Sequence, residues 1–280
     1  MKNNTYQSNN IFAFAKQKLP RQDERFIDHL SQAIRHNKLC LHYQPRYNVA
    51  TGKADILEAL VRWPRPDAGL FYPECFLPAA KENGLIFLLD LWVFEQCCKD
   101  LIWVQTHVNP NTKIAINLSM QAGESIYLAQ KLIEISERCH TPLSEFEFEL
   151  TADQYFHDIR KVAAFCEILK NHGATFSLDS FGTGQSSLTN ICELPANSIK
   201  IDRCFARDIG HSKRSELIIG ALVNLARDSG LLAVVQGIET PEQYHFLDDI
   251  GCDQQQGFLL CRPIPLSRIT PATLYESVIR

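Results

Sequence analysis

A chain of 280 residues, 45% hydrophobic and 21% charged, has the make-up of a globular protein with one generous core. Its formal net charge of -4 supplies no basic field for nucleic acid or an anionic membrane. No apolar run reaches the roughly 20 residues of a membrane span, and the N-terminus lacks the apolar stretch and small-residue cleavage site of a signal peptide. A cytoplasmic protein is expected.

In chain order, residues 1–25 are polar and Asn-rich and read as a tail or short entry helix, with a weak amphipathic pattern in IFAFAKQKL (11–19). Residues 26–280 alternate short β-rich runs with longer amphipathic stretches and read as a single domain. Strands are expected over 41–49, 54–63, 113–119, 146–152, 174–180, 198–202, 232–238 and 253–261. Helices are expected over 26–37, 75–83, 85–105, 124–140, 157–172, 212–229, 241–250 and 271–279. Strands such as KIAINLS are nearly continuously apolar, as when helices cover both faces of a sheet. The pattern predicts an α/β fold, a modified TIM-type (β/α)8 barrel. Its first two strands are joined by VATGK alone, too short for a crossover helix, so one strand is expected to run antiparallel. The stretch LIFLLDLWVFEQCC (85–98) is apolar enough for its own core or for an extra interface. Ten cysteines include no CxxC pair, which argues against zinc, and they are expected to be free buried thiols.

Six strand candidates end in polar groups: Glu58 in ILEALVRW, Asn117 in IAINLS, Glu149 in FEFELT, Asp179 in FSLDSFGTG, Lys200 in SIKID, and Gln236 with Glu239 in AVVQGIE. The carboxyl ends of barrel strands share one face, so these residues become neighbours. Hard divalent cations take oxygen ligands, and Glu58, Asn117, Glu149 and Asp179 supply four. Lys200 is placed to meet an anion or a metal-bound water. Taken singly, each has a structural reading: a salt-bridge partner for a strand Glu, a helix cap for Asn117, a turn for Asp179 ahead of Gly182 and Gly184. Their common position at strand ends favours a site.

The motifs that carry these residues resemble the EAL domain family, which binds cyclic di-GMP and cleaves it to a linear dinucleotide. The name-giving triplet is Glu58-Ala59-Leu60. The match continues through LHYQP (41–45), FLPAAKENGLI (76–86), INLS (116–119), ELT (149–151), LDSFGTGQSSL (178–188), IKID (199–202), QGIET (236–240) and QGFLLCRPIP (256–265), about residues 28 to 266 in all. The resemblance implies a first metal site for Mg²⁺ or Mn²⁺ at Glu58, Asn117, Glu149 and Asp179. It assigns a catalytic role to Lys200 and Glu239. Ligand contacts are implied for Gln44, Glu58, Leu60, Arg62, Asn117, Asp202 and Gln256, with Arg65 a further candidate.

Three positions depart from the family pattern. Ser180 stands where a second aspartate precedes FGTG, Gln236 stands where a glutamate serves the second cation and its water, and Ala152 replaces a glutamate that steadies the loop after Asp179. A hydroxyl is a poor ligand for a second divalent cation, and an amide cannot accept a proton near neutral pH. Loss of a general base costs on the order of 10² to 10⁴ in rate, so the second metal site is expected to be lost and hydrolysis to be inefficient. The reading placed first is a cyclic di-GMP-binding sensor or regulator. Its alternatives are a nucleotide-independent protein-interaction module acting on motility or adhesion, and a slow Mg²⁺- or Mn²⁺-dependent phosphodiesterase. A protein partner is expected and a homodimer through the barrel rim is open, with no DNA or membrane partner.

Overall fold

Only Val49 to Gly52 separate the first two strands, β1 (Cys40–Asn48) and β2 (Lys53–Arg65), which fold back as an antiparallel hairpin. The structure, a computed structural model, describes residues 24–118, 126–151, 158–183 and 188–275. The expected tail, apart from Glu24 and Arg25, lies outside the described residues, as does Ala152.

After helix α1 (Glu24–Arg35) and the hairpin come β3 (Gly69–Phe71), α2 (Pro73–Glu82), α3 (Ile86–His107), β4 (Lys113–Leu118), α4 (Ile126–Cys139), β5 (Phe146–Thr151) and α5 (Ile159–Lys170). The chain continues through β6 (Thr175–Phe181), α6 (Leu188–Glu193), β7 (Ser198–Ile201), α7 (Arg203–Ala206), α8 (Lys213–Asp228), β8 (Leu232–Gln236), α9 (Pro241–Asp249), β9 (Gln254–Gln256) and β10 (Ile264–Pro265). Strands β2, β4, β5, β6, β7, β8 and β9 pair in parallel. β1 pairs antiparallel with both β2 and β9 and closes the sheet into a mixed barrel of eight staves. The two residues of β10 and three of β3 lie outside the ring.

The barrel closes because outward-facing residues are apolar and find helices. Phe146 and Phe148 of β5 are fully buried and meet Phe94 of α3 at centroid distances of 5.0 and 5.8 Å. Helix α3 buries Leu89, Val93, Phe94, Cys97, Cys98, Leu101 and Val104, so the apolar stretch at 85–98 serves the protein's own core. Tyr43 of β1 is fully buried and donates to Asp100 of α3 at 2.6 Å, fixing the antiparallel stave to the helical layer.

Several expectations need correction. The strand expected over 253–261 ends at Gln256, because Gly257 opens a turn in which Leu260 and Cys261 donate to its carbonyl. A side chain at Gly257 would stand 2.1 Å from the Ile238 carbonyl oxygen, so only glycine lets the two segments pair. The helix expected over 271–279 is a 3₁₀ turn over Pro271–Leu274, after which Tyr275 is extended and bridges to Lys53; residues 276–280 lie outside the described residues. All ten cysteines are free, but only Cys97, Cys98, Cys166 and Cys252 are buried, and Cys192 and Cys204 are exposed. No helix among the described residues is long and apolar enough to cross a membrane.

Candidate functional site

Alternation along each stave aims every second side chain into the barrel. The register sets Gln44 opposite Glu58, Asn117 beside Glu149 and Gln236 beside Gln256. Lys200 is fully buried at the centre. Its Nζ donates to Glu58 Oε2 at 3.1 Å and makes a shorter contact with Glu149 Oε2. Asp179 Oδ1 lies 3.9 Å from the same nitrogen. Asn117 Nδ2 donates to Glu58 Oε1 at 3.0 Å, and Gln256 Nε2 donates to Glu58 Oε2 at 2.8 Å and to Gln44 Oε1 at 3.3 Å. Gln44 in turn donates to the Cys261 carbonyl at 2.9 Å. Residues from six staves thus form one bonded group around a single ammonium.

Charge explains the ionisation of that group. Burial opposes a charged Glu58, but Lys200 and the donors Asn117 and Gln256 outweigh it and hold the carboxyl at about 2. Glu149 is pushed well above the usual carboxylate range by burial, then by the charge of Glu58, with Lys200 only partly offsetting them. Burial alone would lower Lys200; Glu149, Glu58 and Asp179 raise it instead. Beneath lies a second pair that sequence reasoning passed over: Arg46 grips Glu147 through two hydrogen bonds of 2.7 and 2.9 Å.

Among the described residues, Lys200 faces Glu58, Glu149 and Asp179, and Arg46 faces Glu147 and Glu149. Glu149 Oε1 is buried and, among the described residues, accepts no hydrogen bond. An oxygen-rich donor set of this kind fits a hard divalent cation. Among the described residues no three Asp, Glu, His or Cys side chains stand close enough to hold one by themselves. The Lys200 ammonium lies between the carboxylates, so a divalent ion competes with it.

The other positions fall around this core. Leu60 lines a cavity of about 350 Å³ beside Glu58 and Asn117, which Leu77, Ile86, Leu89 and Val93 also line together with Lys81 and Asp90. Asp202, Gln236 and Glu239 line a second cavity of about 240 Å³ that also reaches Glu58, Gln44 and Gln256. Asp202 caps α7 by accepting from Cys204 N at 2.8 Å. Glu239 is exposed, and its backbone N–H is held by Gln243. Arg62 is buried but donates to the Val61 carbonyl at 2.8 Å and stacks on Tyr72 at 4.9 Å, so the structure does not bring it into the cluster. Arg65 pairs with Asp67 near the surface. Ser180 has a φ of 52°, a left-handed conformation costly for most L-residues, and its Oγ donates to Asp179 Oδ2 at 3.3 Å.

A family model described as the EAL domain matches residues 27–263. The cyclic di-GMP phosphodiesterase NbdA of Pseudomonas aeruginosa is 35% identical over 263 residues, 93% of this chain and 34% of its own length. The bifunctional diguanylate cyclase/cyclic di-GMP phosphodiesterase MucR of that organism is 35% identical over 247 residues, 88% of this chain and 36% of its own. The chain therefore spans about a third of the length of these curated relatives. Among solved structures, the PaMucR phosphodiesterase in its c-di-GMP complex matches with a TM-score of 0.81 and 35% identity over 87% of this chain and 99% of that chain. An EAL domain protein of Listeria monocytogenes matches with a TM-score of 0.76 and 26% identity over 86% of this chain and 94% of that one.

Proposed function

The chain belongs to the EAL domain family, and from that premise we propose that it binds cyclic di-GMP as a sensor or regulator and hydrolyses it inefficiently. One observation carries the reading. Gln44, Glu58, Asn117, Lys200 and Gln256 are held in one hydrogen-bonded group, whereas the positions of a second cation carry Ser180 and Gln236.

The division of labour follows from the side chains. Gln44, Gln256 and Asn117 orient Glu58 and offer polar contacts to a nucleotide, while Lys200 balances the charge of a phosphate brought beside it. Glu58, Asn117, Glu149 and Asp179 would hold one divalent cation, which supplies Lewis-acid polarisation of a phosphoryl oxygen when bound. Ser180 cannot add a carboxylate to a second cation, and Gln236 cannot take the proton of an attacking water. Binding is retained and proton transfer is impaired.

We place this action in the cytoplasm, with output through a protein partner or a homodimer. A slow Mg²⁺- or Mn²⁺-dependent phosphodiesterase is the second reading, favoured by the intact donor set of the first cation. The test is titration of cyclic di-GMP into the protein with Ca²⁺ and with EDTA, followed by incubation with Mn²⁺ and chromatography. Binding without linear product is the expected result. Manganese-dependent product formation that vanishes in Glu58→Ala establishes the second reading. Absence of binding under every condition overturns both and leaves a protein-interaction module.

A further inference from the structure

We propose that Arg46, gripped by Glu147, is a positioning residue that sets the orientation of Glu149 for a divalent cation. This rests on the reading of Glu58, Asn117, Glu149 and Asp179 as the donors of a cation site.

The sequence Phe146-Glu147-Phe148-Glu149 puts both glutamates on one face of β5, about 7 Å apart along the strand. Their phenylalanine neighbours pack outward against the helices, so the face carrying the glutamates turns into the barrel. Arg46 enters from β1, the stave that runs against the others. Its Nη1 and Nη2 hold the two oxygens of Glu147 at 2.7 and 2.9 Å. Nη1 also faces Glu149 Oε1 at 3.7 Å. The side chains of Arg46, Glu147 and Glu149 are 1%, 7% and 0% exposed.

Glu149 therefore has each oxygen addressed by a different cation: Oε2 by Lys200 and Oε1 by Arg46. Lys200 holds one oxygen by a hydrogen bond and the Arg46 charge attracts the other across 3.7 Å, which favours one orientation of the carboxylate over the rest. Stability gives no sufficient reason for the pair, because a buried ion pair replaced by apolar residues of similar volume is often neutral or stabilising. A planar guanidinium locked by a bidentate contact keeps its Nη1 at a fixed place beside Glu149, which a lysine ammonium does not.

The test compares the parent protein with Arg46→Met/Glu147→Met, a pair of substitutions that removes both charges together, and with Arg46→Lys. Isothermal titration with Mn²⁺ reads the site, and crystal structures read the Glu149 carboxylate. The expected result is a folded double variant with Mn²⁺ affinity lowered about 10–100-fold and a turned Glu149, with Arg46→Lys in between. Unchanged affinity in the folded double variant, or an unmoved Glu149, overturns the proposal. If the double variant does not fold, Arg46→Lys carries the same two readings. If the parent binds no Mn²⁺, the cation reading itself fails, and the Glu149 orientation alone decides the role of Arg46.

Discussion

Two sides of the same barrel mouth differ in how tightly they are bound together. On staves β2, β4, β5 and β7, Glu58, Asn117, Glu149 and Lys200 are linked by direct hydrogen bonds, and Glu149 and Lys200 are wholly buried. On β6 and β8, Ser180 and Gln236 are half-buried, and among the described residues Gln236 makes no side-chain hydrogen bond. A residue whose loss leaves a buried charge unpaired is costly to change; a rim residue facing a cavity is not. On the proposed reading, substitution on the second side would alter chemistry while the fold and the first side stand.

The largest effect should come from rebuilding the weaker side. Ser180→Asp/Gln236→Glu is expected to raise Mn²⁺-dependent cleavage of cyclic di-GMP by on the order of 10² to 10⁴, the value of a general base. The backbone is ready for the first change, since Asp tolerates a positive φ better than most residues. Chromatography of the linear product checks it; a flat rate would show that the two sides do not divide binding from hydrolysis.

Breaking the tighter side should cost stability instead. Lys200→Met leaves Glu58, Glu149 and Asp179 without their shared ammonium and is expected to cost about 3–5 kcal/mol in urea unfolding with EDTA. Mn²⁺ at 100 times its dissociation constant should return about 2.7 kcal/mol, because the same carboxylates then have a different cation.

How much of this was legible in the sequence depended on which residue of a strand was read. Strand-end positions led to Glu58, Asn117, Glu149, Asp179 and Lys200, all of which the fold gathers at one ammonium. Arg46 and Glu147 lie one pleat deeper and were passed over, although the period-two spacing in FEFE already put Glu147 on the same face as Glu149. Helices α6 and α7 span six and four residues, too few to show a periodicity. Asp202, a ligand contact on the sequence reading, is the N-cap of α7. The overlong strand after Asp253 came from reading apolar residues past Gly257, whose turn ends the pairing.

Acid sharpens the same contrast, because the tight side stores opposing pH dependences. Glu58 is ordinarily near 4.5 and is held at about 2 in the fold, so its contribution is complete above pH 4.5 and is lost as pH falls toward 2. Glu149 has the opposite sign: raised in the fold, it contributes fully below its ordinary value and progressively less as pH rises above it. With EDTA present, Glu58→Gln should flatten the acid limb of a stability profile, and Glu149→Gln the rising-pH limb. Denaturant midpoints across pH measure both.

The smallest effect belongs to the rim. Thr240 caps α9 by accepting from Gln243 N at 3.2 Å, and Gln243 Oε1 accepts from the N–H groups of Glu239 at 2.7 Å and Thr240 at 3.1 Å. This capping box holds the backbone of Glu239 beside the cavity that Gln236 lines. Thr240→Ala should cost about 1 kcal/mol, a shift of roughly 2–4 °C in Tm for a chain of this size. Cyclic di-GMP affinity measured in EDTA should hold, because Gln44, Glu58 and Gln256 are tied to one another and to the Cys261 carbonyl rather than to α9. A large loss of affinity would mean that the nucleotide leans on the rim as much as on the buried group, and the separation of the two sides would have to be redrawn.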